Sequence, residues 1–150
     1  KVTGIRRNPI DDKYADEVLG LDSFEELLPL IDYLVLALPD SSQTRDMINQ
    51  DVLKKLNNST MLVNVGRGTA INEQDLSDAL NNKEIAAAAL DTTKTEPLES
   101  SSLLWNATNC FISAHDSAHS LLSIPRAFNL FAENIQNIKD GSPIKNLYKE

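Results

Sequence analysis

Met61-Leu62-Val63-Asn64-Val65 is a short apolar run that stops abruptly in Gly66-Arg67-Gly68. A run rich in Val and Leu, bounded by turn residues, reads as a buried strand of an α/β sheet. The glycines are expected to let the backbone turn sharply past the strand end. Arg67 is then carried at the carboxyl edge of the sheet, where open α/β sheets bind their ligands. What else reaches that edge decides what the chain can do.

The rest of the chain supplies strands in alternation with helices. Val2 to Ile5 reads as a strand, and Glu17-Val18-Leu19 as a second, short one. Ser23-Phe24-Glu25-Glu26 has the spacing of a capping box and opens a helix to about Leu30. Tyr33 to Ala37 is a continuous apolar strand. Residues 44–56 read as two short helical pieces with Met47, Ile48, Val52, Leu53 and Leu56 as the apolar face. Asn72, with Asp75 three residues on, caps a helix to about Leu80. Ile85 to Leu90 and Cys110-Phe111-Ile112 are the next strands, separated by a long polar loop over 92–102. Phe128, Phe131, Ile135 and Ile138 recur at helical spacing, with Pro125 in the first turn and Gly141 at the C-cap. This order predicts an α/β fold, a Rossmann-like doubly wound, mostly parallel sheet with helices on both faces.

The composition narrows the function. A net charge of −8 argues against a nucleic-acid or anionic-membrane surface. A single cysteine, Cys110, rules out a disulfide framework or a cysteine-based metal site, and an intracellular, cytoplasmic location is expected. Asp11, Asp12 and Asp16 read as a solvated acidic loop, so no metal site is expected. No apolar run approaches the roughly 18 residues of a membrane helix.

Three strand ends deliver polar groups: Arg67, Asp91 with nearby Glu96, and His115. A guanidinium grips a carboxylate with two parallel hydrogen bonds. A histidine gives or takes a proton near neutral pH, and a carboxylate beside it fixes the ring tautomer and favours its charged form. Each residue alone has a bland reading, as salt-bridge partner, structural histidine or solvated loop acid.

In this order they resemble the D-isomer-specific 2-hydroxyacid dehydrogenases. The matching segments are Leu36-Ala37-Leu38-Pro39 with Thr44-Arg45 and Ile48-Asn49; Leu62 to Gly68; Ala89-Leu90-Asp91 with Glu96-Pro97-Leu98; Leu104-Trp105; Ser113-Ala114-His115; and Gly141-Ser142-Pro143-Ile144-Lys145-Asn146. The resemblance implies an enzyme that moves a hydride between NAD(P)H and the carbonyl carbon of a small 2-oxo acid. Arg67 would bind the substrate carboxylate and carbonyl oxygen, His115 would exchange the proton, and Glu96 would orient and charge His115. Asp91 would bond the nicotinamide carboxamide. Leu38, Pro39, Thr44, Val65, Gly66 and Ser117 would line the cofactor. Homodimerisation is implied in the same way. The alternative is a catalytically silent, dehydrogenase-like NAD(P)-binding sensor or co-repressor.

The chain departs from that pattern in three places, the first being Thr92-Thr93 where the family usually has an aromatic pair after the cofactor-binding Asp. Ala114 and Asp116 flank His115, where the family usually has Pro before and small or apolar residues after. No Gly-x-Gly-x-x-Gly occurs, although the strand that should follow it opens the chain. The expectation is a C-terminal part of a longer protein: a partial dinucleotide-binding domain over 1–120, lacking its first strand and glycine loop, then a C-terminal helix and tail over 121–150 packing toward a missing substrate domain. Where a dinucleotide fold usually places an acid for the adenine ribose, this chain has Arg6 and Arg7. Both suit a 2′-phosphate, so NADP(H) is favoured, with NAD(H) as the alternative. Arginines here resemble the glyoxylate/hydroxypyruvate reductase branch.

Overall fold

A computed structural model describes residues 1–147. The chain divides into two compact units, Lys1–His115 and Asp116 onward.

In the first unit, β1 (Thr3–Ile5) pairs in parallel with β2 (Glu17–Leu19). A second parallel sheet has the order β3-β4-β5-β6, made of Tyr33–Leu36, Met61–Asn64, Ala87–Leu90 and Cys110–Ile112. Each strand follows its predecessor by a crossover, and three of those crossovers carry α1 (Phe24–Leu27, between β2 and β3), α2 (Gln50–Leu53, between β3 and β4) and α3 (Glu73–Asn81, between β4 and β5). Register is set by burial. Leu34, Leu36, Leu62, Asn64, Ala88 and Leu90 lie buried on one face. Tyr33, Val35 and Phe111 are exposed on the other. A one-residue slip would exchange the two sets.

The core forms where the helices meet the buried face. Leu76, Ala79 and Leu80 of α3 recur at helical spacing and are almost fully buried with Leu53, Leu62 and Ile85. Asn72 caps α3, its side chain accepting from the Asp75 N–H at 3.2 Å. Asn49 caps α2 in the same way, accepting from Asp51 and Val52.

Two helical expectations need correcting. Ser23 forms no side-chain cap: its backbone is already helical, inside a 3₁₀ turn over Leu21–Ser23. Only Phe24–Leu27 is α-helix, and Pro29 lies in a second 3₁₀ turn, Leu28–Leu30. Of the span 44–56, only Gln50–Leu53 is α-helical. Residues 46–48 bond instead to the segment after β4: Asp46 N–H to Thr69 O and Ile48 N–H to Ala70 O, each at 2.9 Å. That tertiary pairing overrides the local apolar period.

β1 and β3 are neighbours in space without being paired. A cleft of about 740 Å³ lies between them, lined by β1, β3, Phe24, Leu27 and Leu28. The carboxyl ends of both strands lie on one side of it, since Arg7 just past β1 donates to Gln43 Oε1 in the loop past β3 at 2.7 Å.

The second unit is α4 (Ser123–Asp140) and its tail. Gly141 ends the helix in the left-handed region at φ 68°, with the Ser142 N–H bonded back to Asn137 O at 2.8 Å. Asn134 exchanges two hydrogen bonds with the Lys145 backbone, so the tail is tied along the helix. Within this unit Ile124, Phe128, Phe131 and Ile138 are exposed. Among the described residues, no helix is long and apolar enough to cross a membrane, and no cluster of three or more His, Cys, Asp or Glu has metal-binding geometry.

Candidate active site

The carboxyl ends of β4, β5 and β6 deliver Arg67, the 91–96 loop and His115 within one unit. Arg67 leads out of a turn built by Asn64, the last residue of β4. Asn64 is fully buried. Its Oδ1 accepts from the Gly66 N–H at 3.0 Å, and its Nδ2 donates to Arg67 O at 3.1 Å. The Arg67 side chain is exposed, with Nη1 donating to Gly66 O at 2.9 Å.

The two glycines do not supply a turn conformation, contrary to expectation: neither has a positive φ. They supply room. A Cβ on Gly66 would stand 2.5 Å from the Leu38 nitrogen, and one on Gly68 would stand 2.0 Å from the Thr93 carbonyl carbon. The Gly-Arg-Gly segment is therefore wedged between the loop after β3 and the loop after β5, which fixes where Arg67 emerges.

Glu96 and His115 meet directly. His115 Nδ1 lies 2.9 Å from Glu96 Oε2, and Glu96 Oε1 accepts from the Thr93 N–H at 3.2 Å. With a carboxylate on Nδ1, that nitrogen carries the proton and Nε2 is the atom left for other chemistry. The hydrogen bond from His115, then the Thr93 N–H and the fields of His115 and Arg67, hold the Glu96 carboxyl below its ordinary range against a smaller opposing effect of partial burial. His115 has a left-handed backbone, φ 54°, held by its N–H bonding to Asp91 O at 2.9 Å. A histidine in that region carries strain of about 1 kcal/mol or more, as functional positions often do.

Asp91 is buried and accepts from the Ser113 hydroxyl at 2.7 Å. Val65 is 42% exposed at the strand end, Leu38 is half-buried and Pro39 is exposed. Thr44 staples its own loop: its hydroxyl donates to Pro39 O at 2.7 Å and accepts from the Ser41 N–H at 3.0 Å. Arg6 follows β1 directly and its N–H bonds Leu19 O. Ser117 lies in the second unit, where Asp116 and His119 are hydrogen-bonded to each other. Cys110 is half-buried, and burial pushes its thiol up to about 11, so it is a poor nucleophile.

Sequence reasoning passed over Asn64 and Ser113. Asn64 had a readable signal, an amide side chain placed just before Gly at a strand end, where it can bond its own turn. Ser113 had none, because its partner is 22 residues away.

Residues 1–117 match the family model for the D-isomer specific 2-hydroxyacid dehydrogenase, NAD binding domain. The chain belongs to that family. A hydroxypyruvate reductase of Blautia hydrogenotrophica is 35% identical over 120 residues, 80% of this chain and 37% of the relative. A human glyoxylate reductase/hydroxypyruvate reductase is 32% identical over 131 residues, 84% of this chain and 40% of the relative. Among solved structures, a D-isomer specific 2-hydroxyacid dehydrogenase from Xanthobacter autotrophicus, in complex with NADPH and MES, superposes with a TM-score of 0.86 at 29% identity. That superposition covers 99% of this chain and 60% of the other. The chain thus spans well under half the length of these curated relatives. The family's structures share the Rossmann-like α/β architecture found here.

Proposed function

We propose that the protein reduces small 2-oxo acids to 2-hydroxy acids, and that this chain carries its proton donor and carboxylate grip. The observation that carries the reading is the His115 Nδ1 to Glu96 Oε2 contact of 2.9 Å at the same sheet edge as Arg67. In this reading the Arg67 guanidinium holds the substrate carboxylate and polarises the adjacent carbonyl oxygen. Glu96 fixes the His115 ring and its tautomer through Nδ1. His115 then gives the Nε2 proton to the carbonyl oxygen during reduction and recovers it from the hydroxyl in reverse. A bound nicotinamide supplies or accepts the hydride.

The donor set fits the nicotinamide end of such a cofactor. Val65 offers an exposed apolar surface beside Gly66, and Asp91, already oriented by Ser113, offers a carboxylate for the carboxamide. Leu38, Pro39 and Thr44 would shape the same edge from the loop after β3. Arg6 and Arg7 at the end of β1 favour NADP(H) over NAD(H), and NADPH is what the Xanthobacter relative holds. The sensor reading has no observation in its favour, since an acid–base pair has no use in a protein that only binds.

The strand order leaves a place for a further element. β2-β1 and β3-β4-β5-β6 correspond to a doubly wound sheet interrupted between its two halves. An additional parallel strand in the 740 Å³ cleft would pair the facing edges of β1 and β3, whose bare backbone groups are costly if buried unpaired. We infer that this strand, a glycine-rich pyrophosphate loop and most of the substrate pocket belong to a preceding part of the same protein. By the same reading, residues 1–120 are the cofactor domain, and 121–150 pack toward the substrate domain. From the family resemblance we further propose that the whole is a homodimeric, cytoplasmic enzyme.

The test is to mix the full-length protein with NADPH or NADH and glyoxylate, hydroxypyruvate, pyruvate and a branched 2-oxo acid. Oxidation of NADPH in preference to NADH is expected with at least one substrate. No oxidation of either by any of them refutes the reading. Arg6→Asp with Arg7→Ser should move the preference toward NADH, and an unmoved preference removes both arginines from the cofactor site.

A further inference from the structure

A carboxylate stands close to the proposed substrate grip and has so far no role. Asp40 follows Pro39 in the loop that leaves β3. Arg45 holds it with two parallel bonds, Nε to Oδ1 and Nη2 to Oδ2, both 3.0 Å. Thr69, two residues past Arg67, donates its hydroxyl to Asp40 Oδ1 at 3.0 Å. After those bonds, the fields of Arg45 and Arg67 also help hold the Asp40 carboxyl below its ordinary range. The Thr69 bond places Asp40 beside the segment that carries Arg67, and both carboxylate oxygens are committed to Arg45.

We propose that Arg45 is a positioning residue: by occupying both oxygens of Asp40, it keeps that carboxylate from pairing with Arg67 and leaves the Arg67 guanidinium for the substrate anion. The inference rests on Arg67 being the substrate's carboxylate grip. The geometry explains the need. Arg67 is exposed, with a reach set by a long flexible side chain, and Asp40 is tied to the Thr69 hydroxyl, only two residues downstream of it. An Asp40 released from Arg45 is a built-in competitor for any carboxylate that enters. It also adds one uncompensated negative charge to the approach of an anion, worth about fivefold in affinity at the high effective dielectric of an exposed site.

A purely mechanical role, tying the loop after β3 to the loop after β4, is the competing account, and it predicts the opposite double-variant behaviour. In the full-length protein Arg45→Met should raise KM for the 2-oxo acid about fivefold with kcat little changed. Asp40→Asn added to Arg45→Met should bring KM back to within about twofold of the starting value, although the ion pair is then gone altogether. A double variant as impaired as Arg45→Met overturns the proposal.

A second readout needs no turnover. The Asp40 carboxyl, followed by carbon NMR, should still titrate below its ordinary range in Arg45→Met, because Arg67 replaces Arg45. It should rise further when Arg67→Met is added. An Asp40 titration in Arg45→Met that Arg67→Met leaves unmoved overturns the proposal. A full-length protein that oxidises no cofactor would sink the dehydrogenase reading, while this titration would still decide whether Asp40 and Arg67 pair.

Discussion

Gly68 shows how little of this site is made by side-chain chemistry alone. Its ideal Cβ would stand 2.0 Å from the Thr93 carbonyl carbon, which is backbone and has nowhere to go. Gly68→Ala must push the loops after β4 and β5 apart. We expect a loss of about 3 kcal/mol, the upper range for overpacking, read as a lower urea midpoint with an unchanged slope. A loss within experimental error would mean the loops are not wedged. Glu96 makes a different prediction. Its folded carboxyl is held below the ordinary range, so its ionised form stabilises the fold at pH values above that range. The contribution fades as pH falls through the depressed value. The stability gap between the native protein and Glu96→Gln should therefore narrow on acidification, and a gap that widens would contradict the assigned pairing. The Glu96 side chain is 40% exposed, so the gap is modest.

At the scale of elements, the sequence reading succeeds where one pattern acts alone. The strands at 33–36, 61–64 and 87–90 are apolar runs between turn residues, and each forms within two residues of its expected start. The α3 cap is equally local. Asn72→Ala should cost about 1 kcal/mol, measured by thermal or urea unfolding, and a neutral substitution would show that tertiary packing alone sets the helix start. The reading fails where local signals compete with distant ones. Ser23 has the spacing of a capping box, but Pro29 lies six residues later, in a second 3₁₀ turn, and only Phe24–Leu27 between is α-helical. Residues 46–48 have helical spacing, but the Asp46 and Ile48 backbones bond the segment after β4. The site divides in the same way. Arg67, Glu96 and His115 were legible from chemistry and motif order. Asn64 bonds its own turn, a local signal, whereas Ser113 and Asp40 act through partners 22 and 29 residues away that only the fold brings near, and the two glycines supply clearance rather than a turn.

For the whole molecule, sheet order and site composition point to the same account. Two parallel sheets, β1-β2 and β3-β4-β5-β6, flank the cleft, and the carboxyl edge of the second carries the proposed proton donor and anion grip, while the cleft lies beside the place where the cofactor's phosphates would sit in a doubly wound fold. The account stands or falls on whether His115 is the proton donor for a hydride transfer. The most direct measurement is the single-turnover rate of NADPH oxidation by glyoxylate or hydroxypyruvate in the full-length protein and in its His115→Ala variant, with cofactor saturating. The predicted result is a fall of about 10²- to 10⁴-fold in that rate with cofactor binding retained. Equal rates in the two proteins would contradict it.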